Sequence, residues 1–260
     1  WHFKIQCKIE NNEKKLRESY LKILQDKKFI LLLDGVTQPT EVLKMLLPKH
    51  CLMIVVSKER ISLSGFYRKS IKPLDPQSAQ SLLLLHAPNI KEKAKEIAEL
   101  CEFIPMTLCL AGGLLATSKS FSEQSLCEKM QQWAEGNLLM ELIDQSYKDL
   151  EEETSKVLRK LYIFLDTFDA KAQDFICQEQ YNEHLTILVN RQLVMFNEKS
   201  GCYSLHPTIQ KILRDKITAP ERLDAEKRHA THFMIRLQGL QSELTEKKPS
   251  SIRSSVNAFD

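Results

Sequence analysis

Four apolar residues, Ile30–Leu33, run straight into Asp34. A continuous apolar run is the pattern of a parallel strand buried on both faces, and a polar residue marks where that strand emerges at its carboxyl end. In open α/β sheets, ligands sit beyond those ends. A carboxylate placed there can hold Mg²⁺ against nucleotide phosphates. It can also simply cap the turn after the strand. His206 follows a second apolar segment and precedes Pro207; its surroundings suit either a ligand contact or an ordinary half-buried histidine bonded to a carbonyl. Lys58 and Arg60 follow another strand-like run; either can be a solvated loop charge, the reading favoured for Lys58, or a ligand contact. Pro105 stands where it can open a helix, because a missing N–H is harmless there.

The usual phosphate cradle cannot be built from these 260 residues. It needs glycines so that backbone N–H groups can approach phosphates, and neither GxxxxGK[ST] nor GxGxxG occurs. Only seven glycines are present, under half the ~7% average. No GxSxG or HExxH motif offers a nucleophile or a zinc-protease site. The seven cysteines are scattered without CxxC spacing, which argues for reduced thiols and a cytoplasmic location and against structural zinc. A net charge of +3 singles out no class of partner. The longest apolar runs fall far short of the ~20 residues needed to cross a bilayer, and no signal peptide is visible. The chain opens on Trp1 rather than Met, the expectation being an excised segment.

These groups need elements to position them. Periodicity predicts a helix over 13–26 with Leu16, Tyr20, Ile23 and Leu24 on one face, strand Phe29–Leu33, a short helix Pro39–Leu47 and strand Cys51–Val56. Tyr67–Ile71 reads as a third, shorter strand. Helix and strand in alternation is the grammar of a parallel α/β sheet. After Pro73 the texture turns helical over 76–86, 91–103, 105–116 and 122–134; Gly112-Gly113 within the third suggests close backbone packing against a neighbour. Helices follow at 138–149, 153–165 and 183–190. Leu193–Asn197 and Cys202–Leu205 flank Glu198-Lys199-Ser200-Gly201 as a hairpin, and Thr208–Ile217 closes the module. Three helices, a hairpin and a helix suggest a winged helix. A further helix over 222–245 precedes a polar, Ser-rich tail, Lys247–Asp260, expected to fray.

The order of these pieces resembles the NB-ARC family, the nucleotide-switched ATPases of the STAND class. Lys28–Val36 looks like the family's Walker B strand. Met53–Arg60 (MIVVSKER) is similar to the strand whose family form ends in Thr-Thr-Arg. Ile71-Lys72-Pro73-Leu74 with Ala79 and Leu82-Leu83 resembles the entry to the first helical subdomain. Cys101–Ala111 (CEFIPMTLCLA) looks like the Cys-x-Gly-Leu-Pro-Leu-Ala motif. Gln145–Leu150 and Leu161–Phe164 match the opening of the winged helix, and Tyr203-Ser204-Leu205-His206-Pro207 stands where the family carries Met-His-Asp. Arg228-His229-Ala230 resembles a helix that begins a tetratricopeptide-type sensor.

The resemblance implies four parts: the C-terminal part of an α/β nucleotide domain with a partial parallel P-loop-type sheet (1–72), a helical subdomain (73–137), a winged-helix domain (138–219), and a helix and tail (220–260). It implies ADP or ATP with Mg²⁺ held between the first three, and partners met through oligomerisation. Asp34 would bind the metal, Pro105 would line the adenine pocket, His206 would touch the β-phosphate of ADP, and Lys58 or Arg60 would be the nucleotide-sensing base. Gly35 replaces the second Walker B acid; glycine cannot accept a proton, so hydrolysis is expected to be slow or absent. Phe103 stands in place of the family glycine, and Pro207 in place of its aspartate. A degenerate scaffold that hydrolyses nothing is the alternative reading. A winged-helix nucleic-acid binder ranks third, because Lys211, Arg214 and Lys216 are few and Asp215 lies among them.

Overall fold

The computed structural model describes residues 13–45, 47–48, 50–90, 92–133, 136–179 and 182–246. Cys7 and the tail 247–260 lie outside these, as do the side chains of Leu16 and Tyr20. The chain divides into two compact units, Trp1–Ile71 and Lys72–Asp260.

In the first unit, α1 (Glu13–Leu24), β1 (Ile30–Leu33), α2 (Pro39–Lys44) and β2 (Leu52–Val55) follow in order. The strands pair in parallel, Ile30 opposite Leu52 and Leu33 opposite Val55. Helix α2 stops at Lys44 rather than at Leu47. The expectation of strands buried on both faces is corrected. Alternate side chains point to opposite faces. Leu31, Leu33, Met53 and Val55 are half-buried, whereas Ile30 (64%), Leu32 (59%), Leu52 and Ile54 are exposed. The described residues therefore cover one face of the sheet only. Tyr67–Ile71 is not a strand: it is irregular, and Tyr67 is 94% exposed. Strand-forming residue types make no strand without an edge to pair with.

The second unit is helical with one hairpin. Its elements are α3 (Pro76–His86), α4 (Ala94–Leu100), α5 (Pro105–Thr117), α6 (Glu123–Trp133), α7 (Leu138–Lys148), α8 (Glu152–Lys160), α9 (Ala170–Cys177), α10 (Glu183–Asn190), β3 (Met195–Asn197), β4 (Cys202–Ser204), α11 (Pro207–Lys216) and α12 (Ala219–Glu246). A 3₁₀ turn, Leu161–Ile163, ends the segment expected to be helical to residue 165. Helix α9 was not foreseen from periodicity; its signal is Asp169, whose carboxylate accepts from the Ala172 N–H at 2.8 Å as an N-cap. The expected hairpin is present, with Phe196 opposite Tyr203. Phe168 exchanges both backbone hydrogen bonds with Tyr203 (2.8 and 2.9 Å), so the chain entering α9 adds to its edge.

One continuous apolar core runs from Ala79 to Ala225. Helix α5 is apolar all round and sits inside it, with Leu108, Leu110, Ala111 and Leu114 fully buried. The paired glycines explain how it fits. A Cβ on Gly112 would lie 2.8 Å from His86 Cβ, and one on Gly113 would lie 2.7 Å from the backbone carbon and oxygen of Arg191. Each glycine thus admits a different neighbour. Arg191 is nearly buried and is held by Asp149 at 2.7 Å. Helix α4 is shorter than the expected 91–103 because the chain turns left-handed at Glu102 (φ 52°) and Phe103 (φ 57°). The Phe103 N–H returns to the Ala98 carbonyl (3.2 Å), a helix-ending bond of the kind glycine usually makes.

Candidate functional site

Because β1 and β2 are parallel, the loops that follow them emerge at one end of the sheet, and with them Asp34, Lys58 and Arg60. The two loops are stitched together. Val56 N–H donates to Leu33 O (2.8 Å), Val36 N–H donates to Val56 O (3.1 Å), and the Ser57 hydroxyl donates to Val36 O. Ser57 Oγ also accepts from the Glu59 N–H at 3.0 Å. Sequence reasoning missed Ser57; its only signal is a small hydroxyl directly after the strand. Asp34, Lys58 and Arg60 are all exposed. The Asp34 carboxylate has no hydrogen-bond or ion-pair partner among the described residues, so it does not cap the turn. That work falls to Glu41, which accepts from both the N–H and the hydroxyl of Thr37 (3.3 and 3.0 Å). Gly35 sits at φ +71°, where L side chains are strained even though the space beside it is open. The backbone at Gly35 is thus one that glycine favours.

The other candidates belong to the second unit. Pro105 is the first residue of α5 and is exposed. Just before it, Phe103 holds a left-handed conformation, a backbone state that glycine adopts most easily. His206 is half-buried at the head of α11. Its Nδ1 accepts from the Thr208 N–H at 3.2 Å, so it is a helix cap and not a donor to a carbonyl. A backbone N–H can only donate, so Nδ1 is unprotonated and the neutral ring carries its proton on Nε2. Burial pushes the His206 pKa down, and the positive end of the α11 dipole acts in the same direction. The ring is therefore a neutral N–H donor beside a helix N-terminus, an arrangement that suits an anionic oxygen.

Among the described residues no group of three or more His, Cys, Asp and Glu could hold a metal ion. Asp34 would be a lone protein ligand. Mg²⁺ is commonly held by one or two carboxylates together with phosphate and water, and an unpartnered carboxylate at a strand end fits that habit. On α11, Lys216 is engaged by Asp144 at 2.8 Å and lies over the Tyr147 ring, which leaves Lys211 and Arg214 exposed beside the exposed Asp215. No helix among the described residues is long and apolar enough to cross a membrane.

No family model and no curated protein sequence matches this chain. Among solved structures, the crystal structure of the Signal Transduction ATPase with Numerous Domains (STAND) protein with a tetratricopeptide repeat sensor from Pyrococcus horikoshii is similar, with a TM-score of 0.56 and 19% sequence identity. The similarity covers 96% of this chain and 38% of that one, so the chain spans well under half the length of its structural neighbour. At this identity the likeness is one of fold: the chain folds like a segment of a STAND ATPase.

Proposed function

We propose that this chain is the core of a nucleotide-dependent switch of the STAND class, of NB-ARC type, in which ADP or ATP with Mg²⁺ sets the state of a signalling protein that acts in the cytoplasm by oligomerising. The single observation that carries the reading is the likeness of fold to a STAND ATPase along nearly the whole chain. The sheet end with its unpartnered carboxylate and the neutral histidine at the head of α11 support it. In this reading residues 138–219 form the winged helix. Asp34 holds Mg²⁺, Lys58 or Arg60 senses the phosphates, Pro105 borders the base and His206 donates from Nε2 to a phosphate oxygen. The bound nucleotide would supply the charge that these groups read; the residues themselves bind, orient and report. Gly35 offers no proton acceptor, so the switch turns by exchange with slow hydrolysis or none.

The test is ADP affinity, with and without Mg²⁺, of a polypeptide in which a GxxxxGK[ST] loop precedes these residues. Asp34→Asn is expected to abolish the Mg²⁺-dependent part of the affinity and leave the rest. An unchanged Mg²⁺ dependence in that variant would remove Asp34 from the site.

A further inference from the structure

Helix α12 is fastened to the second unit in two chemically different ways. Its first turns are tied by charge: Glu221 receives Arg159 (2.6 Å), Asp224 receives Lys160 (2.9 Å), and the Tyr162 hydroxyl donates to Glu226 (3.0 Å). Its middle is tied by rings and by one longer ion pair, from Arg236 to Asp169 at the head of α9 (3.4 Å). The His229 ring lies 5.7 Å from that of Phe164 and 4.6 Å from that of Phe233. The His232 ring lies 5.3 Å from that of Phe175 on α9 and 5.1 Å from that of Phe233. The two histidines are three residues apart, hence neighbours on one helix face. Both are half-buried, and Nε2 of His232 is buried without a hydrogen-bond partner.

We propose that this histidine pair is a proton-operated release: acidification through the histidine range frees the middle of α12 from α9 and from the Phe164–Phe168 turn, while the ionic first turns stay docked. A protonated imidazole donates from both nitrogens, and His232 Nε2 has no acceptor. Protonating both rings places two like charges one turn apart among phenyl rings. The titratable and charged groups on the surrounding elements offset this only in part. Asp169, the carboxylate that acts on His232, already caps α9 through the Ala172 N–H and pairs with Arg236 at 3.4 Å. On α9, Lys171 adds positive charge, and burial pushes the Asp174 pKa up, so its negative charge weakens on acidification. On α8, Arg159 and Lys160 are cations already paired with α12, and in the turn after it Tyr162 is neutral and bonded to Glu226. On α12 itself Asp224 is shared by Lys160 and Arg228. Burial holds both imidazole pKa values below the ordinary range. The stabilisation from the neutral rings is therefore complete above the unfolded value of about 6.5 and is lost as pH falls through it. Glu221, held down at about 2 by Arg159, keeps its charge throughout.

Hydrogen exchange of the α12 amides at pH 7.5 and 5.5, corrected for intrinsic chemistry, tests this. The expected result is a loss of protection of about tenfold over residues 229–240 at the lower pH, with residues 221–226 and α5 unchanged. The double variant His229→Phe/His232→Phe, which keeps the rings and removes the titration, is expected to abolish the difference. Undiminished protection in the native chain at pH 5.5, or an equal loss in the double variant, overturns the proposal. NMR titration of the two imidazoles needs no variant: a pKa at or above the ordinary value for both would overturn it as well.

Discussion

Leu32 and Leu110 look alike in the sequence, each inside an apolar run, yet the first is 59% exposed and the second fully buried. The first lies in a sheet covered on one face by the described residues, the second in a helix enclosed by α3, α7 and the end of α10. An apolar run therefore specifies what a segment needs and not what it receives. The second unit meets that need with one core shared by residues far apart in sequence. The first unit leaves a row of isoleucine and leucine exposed, from Ile30 and Leu32 across to Leu52 and Ile54.

The comparison breaks most readily at those two leucines. Leu110→Ala is expected to destabilise by about 2–5 kcal/mol, since it leaves a cavity in a close-packed site. Leu32→Ala is expected to cost less than about 1 kcal/mol, because little burial is lost. Urea unfolding followed by circular dichroism measures both; equal costs would mean that the open face of the sheet is covered in solution.

A smaller effect concerns the polar fastening of the second unit. Arg159→Ala removes the cation paired with Glu221, which is mostly buried but still accepts from the N–H and hydroxyl of Thr218 (both 3.0 Å), and is expected to cost about 1–3 kcal/mol. The same pair predicts a pH dependence. The Glu221 pKa is held down at about 2 by Arg159, so its stabilisation is complete above the ordinary carboxylate range and is lost as pH falls from about 4.5 towards 2. In Arg159→Ala that acid-side loss should shrink, as read from melting temperature against pH.

The smallest expected effect is a gain. Glu102 is exposed and left-handed at φ 52°, so Glu102→Gly is expected to stabilise by about 0.5–1 kcal/mol. Any destabilisation would show that the Glu102 side chain has a role its exposure conceals.

Much of the architecture was legible in the sequence because its signals are local. Proline at the first positions of α3 and α5, the parallel pair joined by a helix, and the turn ending in Gly201 each follow from a few neighbouring residues. Gly112-Gly113 was legible as close packing, although only the fold tells which neighbour each glycine admits. What was not legible depends on partners distant in sequence. Tyr67–Ile71 has strand-like composition and no edge to join. Arg159 and Glu221 are 62 residues apart, and no spacing rule connects them. At the candidate site, the position of Asp34 at a strand end was legible, whereas the capping role of His206 and the stitch through Ser57 appear only once the backbone is folded.

The most direct test of the switch reading is calorimetric titration of ADP and Mg·ATP into residues 1–260 and, in parallel, into a polypeptide in which a GxxxxGK[ST] loop precedes them. No measurable heat of binding is expected for residues 1–260, because the backbone donors and lysine that dominate phosphate affinity are missing from their sequence. The polypeptide with the loop should bind ADP. Tight binding by residues 1–260 alone, or no ADP binding once the loop is present, would contradict the account.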